Sequence, residues 1–220
     1  MTNENIPLHY EEDALPGFSR FRHLTRDGVD KLTMEDLGYV ANSRSKFNAF
    51  ARRLRLAKSM KSVTFEGYGA GTARGYEALN RHFLMFSAFE RYVADCEGVE
   101  NGVYHLALKH VPAGYYSQLK EAFDLVDIND SIFNFLLENT NSTAQKISLR
   151  AFRDGKSKRS GIYISAMLRN AFVHGVLSAN PQGAPKEAIE MLANFMTGFL
   201  YNALVLDFKT RLDYVDDGAI

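Results

Sequence analysis

Neither sign of charge is in excess in this 220-residue chain, where 26 lysines and arginines are matched by 26 aspartates and glutamates. No global field therefore draws it to nucleic acid or to anionic lipid, and any RNA binding has to come from local patches. Cysteine is nearly missing. A single thiol, Cys96, excludes an intrachain disulfide, and residues 1–5 are polar and slightly acidic where a secretory leader would be basic and apolar. Both features point to a reducing compartment, the cytoplasm. Long apolar runs are also absent: residues 191–206 are broken by Asn194, Thr197, Gly198 and Asn202, and they fall short of the roughly 20 apolar residues of a spanning helix. That segment belongs in a protein core, with no membrane as partner. Alternation of apolar and polar residues over strand length is scarce, and no repeat recurs at solenoid periods. The predicted fold class is all-α, with a length that suits one domain plus an extension.

What the chain does contain is helical periodicity cut by glycine and proline. Residues 1–28 carry Pro7, Pro16, Gly17 and Gly28 with no sustained period, and read as an arm or irregular packing segment. Over residues 33–61, Phe47, Phe50, Leu54 and Ala57 recur on one face of a predicted helix whose other face is basic. Gly67, Gly69, Gly71 and Gly75 predict a loop, followed by a long helix to about residue 96 with Leu79, Phe83, Phe86, Phe89, Tyr92, Val93 and Cys96 inward and Asp95 on a wetter side. Gly98 and Gly102 mark its end. A shorter helix is expected after Pro112, and another capped by Asp130 or Ser131. Residues 139–160, rich in Asn, Ser, Lys and Arg, read as a partly mobile connection. A helix over residues 160–174 follows, then Pro181, Gly183 and Pro185, then a final helix over residues 186–214. That last helix is apolar except for a stripe through Glu187, Glu190, Asn194, Thr197 and Tyr201, and is expected to be the most buried element.

The most informative residues lie on the penultimate helix. Arg169, Asn170 and His174 fall within about one and a half helical turns, followed at once by Gly175. They supply an obligate cation, a hydrogen-bonding orienter and a group that exchanges protons near neutral pH, a set suited to attack on a phosphodiester. At about 100° per residue, Asn170 and His174 lie some 40° apart on one face, while Arg169 and His174 are separated by roughly 140°. Arg169 must then reach around, or meet the histidine of a second chain, which favours a composite site at an interface. Gly175 suits a C-terminal cap, placing His174 at the negative end of the helix dipole.

The run from Leu168 to Gly175 resembles the motif of the HEPN superfamily, in which an arginine and a histidine four to six residues apart, often with a polar residue beside the arginine, define a metal-independent endoribonuclease site. Phe89, Glu90, Arg91 and Tyr92 look like part of an early core helix of that family. The resemblance implies a HEPN-like helical bundle over residues 75–214, with residues 1–65 as an N-terminal arm and helical extension. It implies a homodimer with its two motif helices facing each other, no cofactor, and RNA cut through attack by the 2′-hydroxyl on the neighbouring phosphate. His174 would act as base or acid, Arg169 would stabilise the transition-state charge and Asn170 would orient. A toxin–antitoxin or phage-defence setting follows, with an antitoxin or other regulatory protein as a further partner. The same family also contains members that have lost catalysis and only bind nucleotide, RNA or protein.

The same residues admit a structural reading, with Arg169 as an ion-pairing residue and Asn170 and His174 capping a helix end. Arg150, Arg153, Lys156, Lys158 and Arg159, opposed only by Asp154, suit an RNA backbone or simply a solvated loop. A second basic set, Arg44, Lys46, Arg52, Arg53, Arg55, Lys58 and Lys61, reads chiefly as a wet helix face. The glycine-rich stretch fits neither dinucleotide nor P-loop fingerprints, because Arg74 replaces a glycine and no Lys-Ser or Lys-Thr pair follows. Asp124, Asp127, Asn129 and Asp130 lack the glycine of a calcium loop, and no histidine pair with zinc spacing occurs.

Overall fold

The computed structural model of the chain describes residues 14–25, 31–40, 44–97, 108, 110–179 and 187–216. The glycines at 98 and 102, the Pro181–Pro185 break and the side chains of Arg44 and Lys46 lie outside the described residues. Among the described residues all regular structure is helical, as the missing alternation predicts. In chain order the elements are α1 (Phe18–Thr25), α2 (Arg44–Ser59), α3 (Ala70–Glu97), α4 (Ala113–Val126), α5 (Ser131–Glu138), α6 (Thr143–Arg153), a 3₁₀ turn (Lys158–Gly161), α7 (Ile162–Val173) and α8 (Ala188–Asp216).

The two longest helices, α3 and α8, pack along each other, and α2 lies against α3. Aromatic side chains knit this layer together. Phe21 of α1 sits 4.5 Å from Phe47 of α2 and 5.8 Å from Phe208 of α8, ring centre to ring centre, while Phe50 lies 4.9 Å from Tyr92 of α3. Such pairs add about 0.5–1.5 kcal/mol each beyond their area burial. The stretch expected to be an irregular arm therefore contains a helix, and its Leu15, Phe18 and Phe21 are core residues. A second layer, α4 to α7, closes over the α3–α8 pair.

Several local expectations change for identifiable reasons. The helix predicted from residue 33 begins only at Arg44, because the Asp36 carboxylate binds the backbone N–H and hydroxyl of Thr33 and Gly38 takes a left-handed φ of +71°. A side chain that satisfies its neighbour's backbone competes with helix formation. The α3 helix begins at Ala70 and takes in Gly71 and Gly75. Its start is bracketed by Tyr76, whose ring meets those of Phe65 at 5.7 Å and Tyr68 at 5.3 Å, packing that offsets the low helix propensity of glycine. Inside α3 the buried positions include His82, whereas Phe83 is only partly covered, and Asp95 is enclosed because Arg91 binds it at 2.7 Å.

The connection expected over residues 139–160 is ordered into α6 and the 3₁₀ turn. Ser142 caps α6 by accepting the Gln145 N–H at 3.3 Å, and Leu149 and Phe152 bury its inner face. Asp130 stands at the N-cap position of α5, at φ +56°, but its side chain makes no cap bond: Asp127, three residues earlier, accepts the N–H groups of Ile132 and Phe133 at 2.9 and 2.8 Å.

By length and composition alone α8 is long enough and apolar enough to cross a membrane, but half of its apolar window is buried within the protein. Its polar stripe is largely engaged. Glu187 and Glu190 bind Arg74, Asn194 meets Arg81, Thr197 bonds back to Ala193, and Tyr201 lies under the Lys58 ammonium at 3.8 Å. The most continuously enclosed stretch belongs to α7, where every residue from Ile162 to Leu168 is buried.

Candidate functional site

The motif residues occupy the end of α7, just beyond this enclosed stretch. What fixes the helix start is Gly161: a Cβ built there would stand 2.5 Å from the Phe152 ring and 2.6 Å from Leu119, so α6 and α4 approach its backbone as closely as they do only because it is glycine. The other end is fixed by Gly175, at φ +71°, whose N–H bonds to Phe172 O at 3.0 Å while Val176 N–H bonds to Ala171 O at 2.9 Å. This pair of bonds is the Schellman arrangement, and it makes His174 the C-cap residue, with its backbone N–H on Asn170 O at 3.0 Å. The His174 side chain is exposed.

Helix geometry divides the motif as the 100° rule predicts. Asn170 and His174 both open onto one cleft of about 320 Å³, and Arg169 is not among the residues that line it. Arg169 turns toward α3, where it binds Glu90 at 2.5 Å and stands 5.4 Å from the Phe86 ring. Its other guanidinium nitrogen donates to the Asn170 side-chain oxygen at 2.8 Å. Asn170 is thereby the bridge, since it accepts from the arginine on its side-chain oxygen and also lines the cleft. Each motif residue holds a structural position as well: an ion pair, a bridge and a helix cap.

The opposite wall of the cleft comes from a segment that sequence reasoning left out. Residues 139–142, between α5 and α6, face Asn170 and His174 together with Gln145 from the first turn of α6. Ala171 and Val176 supply apolar surface. The lining holds no Lys, Arg, Asp or Glu. The positive N-terminal end of α6 and the negative C-terminal end of α7 both border it, so their partial charges oppose one another.

The five basic residues proposed for the RNA backbone do not gather at this cleft. Arg150 and Arg153 lie in the last turn of α6, whereas Gln145 lies in its first, a separation of about 7–12 Å along the axis at 1.5 Å per residue. Arg153 bridges Asp124 and Asp130, Lys156 pairs with Asp154, Lys158 donates to Ser117, and Arg159 stands over the Tyr116 ring at 5.4 Å. Arg150 is exposed. The aspartates once weighed for calcium are occupied by these pairs and by the α5 cap.

A second polar centre lies in the core between α3 and α8. Asp207 and Arg211, 0% and 3% exposed, pair at 2.8 Å. Asp207 also accepts the Tyr92 hydroxyl at 2.7 Å, and Arg211 reaches the Gly38 carbonyl and lies 5.0 Å from the Tyr39 ring. Burial raises both tyrosine hydroxyls well above the usual range. Burial also works against the Arg211 charge, but the Asp207 carboxylate bound to it holds the guanidinium protonated. An acid and a base four apart near the end of a mainly apolar helix was the available signal.

Comparison with known proteins matches the chain to no family model, no curated protein and no solved structure.

Proposed function

We infer that the chain is a metal-independent, HEPN-like endoribonuclease acting on single-stranded RNA. The observation that carries this reading is the placement of Asn170 and His174 on one cleft, with His174 exposed at a helix end and Arg169 tied to Asn170. In the reaction the 2′-oxygen bonds to the adjacent phosphorus and the bond from phosphorus to the 5′-oxygen breaks. A base takes the 2′-hydroxyl proton and an acid returns one to the leaving oxygen, giving a 2′,3′-cyclic phosphate and a 5′-hydroxyl. His174 suits the proton transfers, Arg169 the charge on the phosphorane-like transition state, and Asn170 the orientation of either. In a homodimer, with motif helices face to face, the second copy's His174 supplies the partner acid or base. Val173 and Val176, 52% and 47% exposed, leave apolar surface beside the motif for that contact. A toxin–antitoxin or defence role, held in check by a regulatory partner, fits such an activity.

A second reading is favoured by the Glu90–Arg169 pair, which directs the guanidinium away from the cleft: a HEPN-like module that binds RNA without cutting it.

One experiment separates the two. The full chain is incubated in excess EDTA with end-labelled RNA, beside Arg169→Ala and His174→Ala proteins checked for fold and mass. The ribonuclease reading expects cleavage by the parent with cyclic phosphate ends, and losses on the order of 10²–10⁴-fold in the His174 variant. A folded His174→Ala protein that cuts as fast as the parent overturns it, and binding without cleavage by the parent selects the second reading.

A further inference from the structure

We propose that the cleft between the residue 139–145 segment and the end of α7 is a nucleobase subsite, which takes one unstacked base of single-stranded RNA beside the phosphate that Arg169 and His174 address. The proposal rests on the reading of the chain as RNA-acting and names the part of the RNA that the cleft recognises.

The chemistry of the walls decides the ligand class. A phosphate pocket would call for lysine or arginine and a metal ion for carboxylates, and the lining has none of these, its one ionisable side chain being His174 at the edge shared with the motif. Most of its polar lining is instead neutral: the amides of Asn139, Asn141, Gln145 and Asn170, each with a separate donor and acceptor atom, and the hydroxyls of Thr140 and Ser142, which can turn to either role. Their free atoms can be read from the bonds they already make. Asn139 donates its amide to Phe135 O at 2.9 Å, which leaves its carbonyl oxygen as an acceptor. Asn170 receives Arg169 on its carbonyl oxygen at 2.8 Å, which leaves its NH₂ as a donor. Asn141 and Gln145 each bring a complete amide, whose paired donor and acceptor match the edge of a base that has left its stack.

Size and shape agree. A cleft of about 320 Å³ lies at the lower end of the range for small-ligand pockets. Val176, still 47% exposed, and Ala171 give the apolar surface against which a flat ring lies. The walls are also held in place before any ligand arrives. Ser142 is fixed by its cap bond to Gln145, Thr140 is buried, and the Gly175 turn sets the direction in which Val176 leaves α7. With Asn170 serving both the arginine and the cleft wall, reading of the base is coupled to placement of the guanidinium.

The test uses the full chain, isotope-labelled, titrated separately with adenosine, guanosine, cytidine and uridine, and with ribose as the sugar control. Amide resonances of residues 139–145 and 176 are followed. Asn141→Ala and Gln145→Ala, neither placed in the chemistry, serve as the altered clefts. The expected result is saturable shifts confined to the cleft, with at least one nucleoside preferred, no response to ribose, and affinity about tenfold weaker in either variant. An oligoribonucleotide lacking one base at the preferred position should weaken binding similarly in the parent and add little loss to the variants. No nucleoside response, an equal response to ribose, or affinities unchanged in both variants overturns the proposal. Cleavage of RNA by a parent that binds no nucleoside removes the subsite and keeps the ribonuclease. Nucleoside binding without cleavage does the reverse.

Discussion

His82 shows how a single side chain gives the core a pH dependence. It lies on α3, 1% exposed, with Nε2 on the Ser165 carbonyl of α7 at 3.1 Å, which assigns the proton to Nε2. Burial pushes its pKa down from 6.5 to about 4, against a smaller upward pull from that carbonyl. Between these values the unfolded chain holds the proton and the folded chain does not, so stability is complete above 6.5 and falls as the pH drops toward 4. At 1.36 kcal/mol per unit the loss is roughly 3 kcal/mol. His82→Gln keeps a donor for Ser165 but cannot titrate, so its urea-unfolding free energy should fall less over this interval than the parent's; parallel curves would refute the assignment. Arg169 is subtler. Its pair with Glu90 is about one-quarter to one-third exposed on each side, so Glu90→Gln should cost at most about 1 kcal/mol by chemical denaturation. If that pair restrains the guanidinium, the same substitution raises RNA cleavage; a fall in cleavage would make Glu90 an aid to Arg169.

At the level of elements, α6 links fold to site, because its first turn forms a wall of the cleft. Ser142→Ala removes the cap and should destabilise the protein by about 1 kcal/mol, against a near-neutral Thr143→Ala next door, both read by thermal unfolding. Its existence was encoded in Ser142 and Gln145, spaced as a capping pair, but the exposed polar residues around them outweighed Leu149 and Phe152 in the periodic signal. The end of α7 was legible for the opposite reason: Gly175 stands where a left-handed C-cap needs it, and the angles among Arg169, Asn170 and His174 follow from helix geometry alone. Asp127 capping α5 from outside it was not legible, since that bond depends on how the loop turns back. Nor was the ion-paired state of Arg153, whose partners Asp124 and Asp130 come from other segments. Local spacing specifies what one helix does, and tertiary folding decides which charges meet.

For the molecule as a whole, the Asp207–Arg211 pair joins the turn at Gly38, the α3 tyrosine and α8 in one buried network. Removing one partner strands the other without water. Asp207→Ala should therefore cost about 3–5 kcal/mol, while the double change Asp207→Leu with Arg211→Met should cost less than that single one. Urea unfolding of the three proteins checks the order, and a double variant weaker than Asp207→Ala would show that the network contributes more than its charges. Electrostatics on the outside follow a different logic. Lys156 and Arg153 are neutralised by aspartates of this same chain, and Lys158 and Arg159 are held by Ser117 and Tyr116. A strand that crosses this stretch thus finds few cations free to displace its condensed counterions, Arg150 being the exposed one. With about one or two phosphates neutralised, the logarithm of RNA affinity should fall with the logarithm of salt concentration at a slope of only about 0.7–1.4. Such a protein would hold a strand through its bases more than through its backbone, and would keep hold of it in brine that strips away ordinary basic RNA-binding domains.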